Sequence, residues 1–291
     1  EKLLAARNKR KRPAKDDKIL TDWNGLMIAA LAKGFQTFGE EKYLKAAERA
    51  ADLILKRLYS PEKRLLHRYR EGVAGISGTV DDYAFLIQGL LELYEAGFEL
   101  RYFKAALCLN QELLEHFWDP VQGGFFFTAD DSESLIFRKK EFTDAAIPSG
   151  NSIEMLNLFR LSRMTANPKL EEKAQELERA FSNHIRKIPS GYTQFLSALD
   201  FGLGPAYQVV ISGKIESPDT GNMLEELWNY FIPNKVLIFR PEGDEPEITS
   251  LATYTKDQIP IEGKTTAYVC QNYECQLPTT EINEMLKMLN L

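Results

Sequence analysis

Two carboxylates and one imidazole are the groups best suited to chemistry: Asp22 in Thr21-Asp22-Trp23-Asn24, Asp82 in Val80-Asp81-Asp82-Tyr83, and His67 in Leu65-Leu66-His67-Arg68. Hydrolysis of a glycoside needs two carboxyls flanking the bond, roughly 5–10 Å apart. Asp22 and Asp82, in neighbouring segments, are candidates. Epimerisation needs a proton carrier beside a carbon acidified by a carbonyl, usually histidine, and His67 is the candidate. Polar residues at helix N-termini suit oxygen-rich ligands, and aromatic faces stack on rings. Trp23, Asn24, Asp81, Tyr83, Ser149 and Asn151 are therefore candidate substrate-binding groups.

Each candidate has a structural alternative. Asp and Asn before an apolar helix are ordinary caps, and Asn151 with Glu154 fits a capping box. Asp81 and Asp82 are adjacent and diverge, so at most one faces a common cavity. Asp16-Asp17-Lys18 reads as an ion pair leading into a helix. Trp23 suits a core as well as a ring platform, and His67 beside two leucines suits a buried, satisfied histidine. His116 and His184 read as structural. Cys270 and Cys275 are a candidate redox pair only if the thiols meet. A zinc site would need two further ligands nearby, so neither metal nor cofactor is expected. There is no phosphate loop, HExxH or nucleophile elbow. Gly202-x-Gly204 lacks the strand that a dinucleotide fingerprint requires.

The elements that would position these groups form a repeat. Asn24, Asp82 and Asn151, each near the start of a long apolar run, are spaced 58 and 69 residues apart. Pro61, Pro120 and Pro189 are spaced 59 and 69 apart. In each unit the first helix is apolar nearly all round, as in Leu26 to Phe35, Phe85 to Leu93 and Ile153 to Leu161, so it is buried on most sides. The second is amphipathic: Tyr43, Ala47, Ala50 and Ile54 make one stripe, and Leu170, Ala174, Leu177 and Phe181 another. Asn167 caps the latter helix and Pro168 takes its first position. An inner and an outer helical layer, three times over, is the organisation of an α/α toroid. Short strand-like pieces are expected at 64–69 and 123–128. The pattern changes near Gly202. Strands at 207–212, 235–240 and 266–270 and helices at 219–230 and 280–289 predict a small α/β unit containing a parallel pair. The expected division is a lead-in at 1–18, three helical hairpins at 19–202 and the α/β unit at 203–291.

Composition bounds the rest. The chain has 291 residues and a formal net charge of -6. No apolar run reaches 18 residues, so no spanning helix is expected. Residues 1–18 carry eight basic and three acidic side chains. No aromatic residue interleaves them and the remainder is acidic, so no nucleic-acid partner is expected. Three cysteines make no disulfide framework, and a reducing, cytoplasmic setting is the default. The chain opens on Glu1 without a signal-like segment, so a piece of a longer protein is expected.

Arg12-Pro13, the run from Asp16 to Met27, Asp81-Asp82-Tyr83-Ala84-Phe85, Phe117-Trp118-Asp119 with Gly123-Gly124, Pro148-Ser149-Gly150-Asn151-Ser152, Ile232 to Leu237, and Thr266 to Cys270 with Cys275 and Pro278 resemble the spermatogenesis-associated protein 20 family, whose bacterial members include the YyaL proteins. The resemblance covers essentially the whole chain and corresponds to the family's C-terminal part. It implies part of an (α/α)6 toroid, six-hairpin glycosidase-like and similar to N-acylglucosamine 2-epimerases, followed by the α/β unit. It also implies an N-terminal thioredoxin-like domain and first hairpins that this chain lacks. Ala145 follows Asp144 where the family has Asp-Gly, which puts a carried-over role for Asp144 in doubt. Two functions follow as expectations: a carbohydrate-active toroid, sugar epimerase or glycoside hydrolase, acting on a small carbohydrate, or a non-catalytic scaffold partnering a thioredoxin-like domain. Open inner helices would favour association with the absent segment or with another copy.

Overall fold

A computed structural model describes residues 1–60, 62–133, 136–271 and 274–291. Pro61, one of the repeat markers, lies outside the described residues. The lead-in forms a short helix, α1 (Lys2–Asn8), with no buried side chain. Strand β1 (Ile19–Leu20) then runs directly into α2 (Thr21–Phe38).

Three hairpins follow one plan. They are α2 with α3 (Glu41–Arg57), α4 (Val80–Gly97) with α5 (Leu100–His116), and α6 (Gly150–Thr165) with α7 (Pro168–Ile185). The first helix of each ends on a left-handed residue, Gly39, Phe98 or Ala166, whose amide returns to the carbonyl four residues back. That shared turn lets each second helix fold back along the first. α4 and α6 are buried almost all round, whereas the second helices bury single stripes such as Ala47, Ala51 and Ile54. α2, expected to be buried on most sides, buries one face (Gly25, Ile28 and Ala32) and leaves Met27 exposed, because it ends the inner row and has a single inner neighbour, α4. Asn167 caps α7 and Pro168 opens it, as expected. α2, α4 and α6 pack as successive neighbours in an inner row. The chain is thus mainly helical, in the two-layer hairpin arrangement expected of a toroid segment.

The inner row has a fourth member absent from the sequence reading. Between α3 and α4 run β2 (Leu66–Arg70) and β3 (Val73–Ser77), and beyond α7 lies α8 (Thr193–Leu203), packed on α6. Gly202 reads as a breaker in sequence but lies inside α8. A Cβ there would come within 2.5 Å of the Phe159 ring, so its role is close packing. The expected strand at 123–128 is reduced to one bridge, Trp118 to Phe125, because Gly123 and Gly124 both hold positive φ.

The remainder forms β4 (Tyr207–Gly213), α9 (Pro218–Trp228), β5 (Lys235–Pro241), α10 (Ile248–Leu251), β6 (Thr266–Gln271), β7 (Glu274–Cys275) and α11 (Ile282–Met288). Its sheet runs β5-β4-β6-β7, with β4 and β5 parallel and the other pairs antiparallel. Alternation along the strands splits the sheet between two cores. Val210, Val236 and Ile238 join the helical core. Val209, Ile211 and Leu237 pack with Met223, Leu227 and Met285 of α9 and α11. Cys270 and Cys275 stand opposite each other on β6 and β7 and form a disulfide, so the expected pair of thiols is a bonded cross-strand link. Among the described residues no helix is long and apolar enough to cross a membrane.

Glycines set the spacing of the inner row. A Cβ on Gly25 of α2 would lie 2.5 Å from the Phe85 backbone of α4, and one on Gly89 would lie 2.6 Å from the Gly25 carbonyl. Gly25→Ala is expected to cost about 1–3 kcal/mol in chemical denaturation, the usual price of overpacking. Gly221→Ala, on the exposed side of α9 with open space around it, is the control and should be neutral or gain up to about 1 kcal/mol.

Candidate functional site

The N-terminal ends of α2, α4 and α6 meet at one end of the inner row. β1 pairs with β2 in a register that sets Leu20 opposite Arg68. The Thr21 hydroxyl donates to the Leu66 carbonyl at 2.6 Å. This pairing carries His67 to the first turn of α2, although 45 residues separate the segments.

Asp82 is fully buried. Its Oδ2 accepts from the Thr79 amide at 2.8 Å and hydroxyl at 3.0 Å, closing a capping box at the start of α4. Its Oδ1 accepts from the Asp22 amide at 3.1 Å and from His67 Nδ1 at 2.9 Å. A carboxylate so engaged has no oxygen left for a ligand. It fixes the imidazole instead: Nδ1 faces Asp82, and Nε2 has no protein partner among the described residues. The Asp82 hydrogen bond raises the His67 pKa above its ordinary 6.5, more than partial burial lowers it.

Asp22, 9% exposed, lies beside this pair. One Asp22 oxygen accepts from the Trp23 amide at 2.8 Å. Burial, reinforced by the charge of Asp82, raises its pKa. Ligand atoms of Asp22, His67 and Asp82 all lie within 4.8 Å of one another. A cation could use these atoms only by competing with the His67–Asp82 bond. His116, Asp130 and Asp131 make a similar but more exposed group, with His116 bonded to Asp130 at 2.9 Å.

Asp81 turns the other way. Its Oδ1 accepts from the Gly150 amide, the first residue of α6, at 2.8 Å. A Cβ on Gly150 would lie 2.5 Å from that oxygen. Burial pushes the Asp81 carboxyl up to about 7, with the charges of Glu141, Asp82 and Asp22 adding to the rise.

The remaining candidates divide. Trp23 is 62% exposed, so its reading as a core residue is overturned. Asn24 donates its amide to the Leu20 carbonyl at 2.7 Å. Tyr83 is buried: its hydroxyl accepts from the Leu65 amide and donates to Glu112, and burial pushes its pKa up to about 12. Ser149 caps α6, accepting from the Ser152 amide at 3.1 Å. The capping box expected of Asn151 and Glu154 does not form. Asn151, fully buried, uses its side-chain amide on the backbone of Phe125 and Glu141. Glu154 is buried against Asn157, and burial pushes it up to about 8.

Two residues outside the sequence shortlist hold the site together. Thr79 does so through the capping box, which Thr79-x-x-Asp82 announces by its pattern. Asp144 accepts from the amides of Ser149 at 2.9 Å and Gln194 at 2.8 Å, tying the starts of α6 and α8. Ala145 leaves that role intact.

No family model matches the chain. Human spermatogenesis-associated protein 20 is 32% identical over 300 residues, covering 100% of this chain and 38% of the human protein. The chain matches the spermatogenesis-associated protein 20 family over its whole length. The mouse protein of the same name is 32% identical over 302 residues, covering 100% of this chain and 38% of its own length. An uncharacterized Caenorhabditis elegans protein is 28% identical over 297 residues, covering 100% of this chain and 40% of that protein. The chain thus spans about two fifths of the length of these curated relatives. Among solved structures, cellobiose 2-epimerase from Spirochaeta thermophila is 19% identical with a TM-score of 0.48, over 58% of this chain and 44% of that one. A family 105 glycoside hydrolase from C. acetobutylicum is 18% identical with a TM-score of 0.48, over 62% and 56%. Neither likeness carries a substrate or a residue role across.

The His67–Asp82 pair makes a signed prediction. The imidazolium is favoured in the folded state, so its stabilisation is present below about pH 6.5 and is lost as pH rises through the elevated folded pKa. NMR titration should place His67 above 6.5, and Asp82→Asn should bring it down. A His67 pKa unmoved by Asp82→Asn contradicts the pairing.

Proposed function

We propose that the chain forms a carbohydrate-active site that moves a proton on an open-chain sugar, in the manner of an epimerase or isomerase. One observation carries this reading: an imidazole oriented by a buried carboxylate, with Nε2 unengaged, beside a second carboxyl of raised pKa. Neutral His67 takes the proton from the carbon next to the sugar carbonyl. The electron pair left behind moves onto the carbonyl oxygen as an enediolate. Asp22, whose pKa burial raises, donates a hydrogen bond to that oxygen when it carries a proton. Rotation about the C2–C3 bond turns the opposite face of the enediolate to His67, and return of the proton there gives the epimer. Return of the proton to C1, with the O2 hydroxyl proton passing to O1 through the Asp22 carboxyl, gives the aldose–ketose isomer. Exposed Trp23, next to Asp22 in the chain, supplies a ring platform.

Glycoside hydrolysis fits less well. It needs both carboxyls on the substrate, and Asp82 is spent on Thr79, Asp22 and His67. The scaffold reading is favoured by a separate observation: Tyr83, Ser149 and Asn151 all bond within the protein.

Incubating the protein in D2O with glucose, mannose, fructose, N-acetylglucosamine and cellobiose tests the proposal. Deuterium should appear at C2 of the aldoses and at C1 of fructose by NMR, on a pH profile rising through the His67 pKa. His67→Ala should slow it about 10²–10⁴-fold, and Asp82→Asn should slow it and shift the rising limb to lower pH. No exchange on any sugar by the folded protein would overturn the proposal in favour of a scaffold.

A further inference from the structure

A second cleft lies at the opposite end of the inner row. The C-terminal half of α2, the last turns of α4, the middle of α6 and the segment 228–235 leading into β5 enclose about 500 Å³. Asp82 and Glu92 are ten residues apart on α4, which separates this cleft from His67 by about 15 Å along the helix.

Five charged side chains line it. Arg160 of α6 donates to Glu92 at 2.8 Å and to Glu95 at 3.0 Å, and all three are buried. Lys33 of α2 pairs with the other Glu92 oxygen at 2.6 Å. Burial works against the Glu92 charge, yet Arg160 and Lys33 hold its carboxyl below the usual range. The fifth is Lys235, at the start of β5. Three cations face two carboxylates, so one positive charge is left over. Lys235 carries it: among the described residues no carboxylate lies within ion-pairing distance of its ammonium. Its surroundings strip away most water, which lowers its pKa. The glutamates oppose that shift, and Lys33 and Arg160 add to it. Lys235 is half-buried, and an ammonium partly stripped of water with no carboxylate partner is held at a cost.

The wall beside Lys235 is aromatic. Trp228 packs edge-on against Phe35, and its indole nitrogen is buried with no acceptor among the described residues. Tyr230 and Phe231 follow it, Phe231 being 90% exposed. The cleft therefore combines an unmatched cation with ring surfaces, and both call for the same kind of occupant.

We infer that this cleft binds a small molecule bearing one carboxylate and a ring, with the carboxylate on Lys235 and the ring against Trp228, Tyr230 and Phe231. A monoanion matches the single surplus charge. A doubly charged phosphate would bring an extra negative charge beside Glu92 and Glu95. The inference uses none of the residues of the proton-transfer reading and stands whether or not that reading does.

Calorimetric titration of the protein with benzoate, benzamide and phenyl phosphate tests it. Saturable benzoate binding in the millimolar range or tighter is expected, with benzamide and phenyl phosphate each at least about tenfold weaker. Lys235→Met should weaken benzoate about tenfold, Lys235→Arg should retain it within a few-fold, and His67→Ala should leave it unchanged. Should Lys235→Met fail to fold by circular dichroism, Phe231→Ala, at an exposed position, replaces it and should weaken binding several-fold. No saturable benzoate binding, equal binding of benzamide, stronger binding of phenyl phosphate, or benzoate binding indifferent to whichever of these variants folds would each overturn the inference.

Discussion

The structure turns on two adjacent carboxylates that reach in opposite directions. Asp82 accepts from the first turn of α2, and Asp81 accepts from the first residue of α6. Both start from the first turn of α4, so one helix end ties the ends of its two neighbours. Helix N-termini present unsatisfied amides and a positive potential, and a carboxylate beside each is the natural complement. The ties require close approach, which Gly25 and Gly150 permit by lacking a Cβ. Spacing of the helices and placement of the charges are therefore one constraint.

That constraint also sets the chemistry. Asp82 serves α4, α2 and His67 at once, and in the proposed proton transfer it acts by holding the imidazole. Burial, with the charge of Asp82 adding to it, raises the pKa values of Asp22 and Asp81. The far end of the inner row is organised differently. There Arg160 and Lys33 together neutralise Glu92 and Glu95, and the sheet, rather than a further helix, packs against the inner helices. The same inner helices thus carry a carboxylate-rich end and an end with one spare cation.

Much of this is legible in the sequence. The repeat spacing locates three inner helices, of which α4 and α6 are buried nearly all round while α2 buries one face and leaves Met27 exposed. The alternating strands after residue 206 locate the sheet and its parallel pair. Convergence of Asp22, Asp82 and His67 follows from the hairpin order. What escapes has a common cause: contacts between segments far apart in the chain. Gly202 looks like a breaker until Phe159 is beside it. Asn151 looks like a cap until the Phe125 backbone claims its amide, while Ser149 does the capping. Trp23 looks like core until α2 proves to leave it in solvent. The pairing of Cys270 with Cys275 depends on a strand register that four intervening residues do not announce.

The account depends above all on which nitrogen of His67 carries the proton. A long-range proton–nitrogen correlation spectrum, recorded above the His67 pKa, reads this directly. The account predicts the Nδ1–H tautomer, donated to Asp82, with Nε2 bare. An Nε2–H tautomer would contradict it, because the imidazole would then accept nothing from substrate and Asp82 would not be holding it.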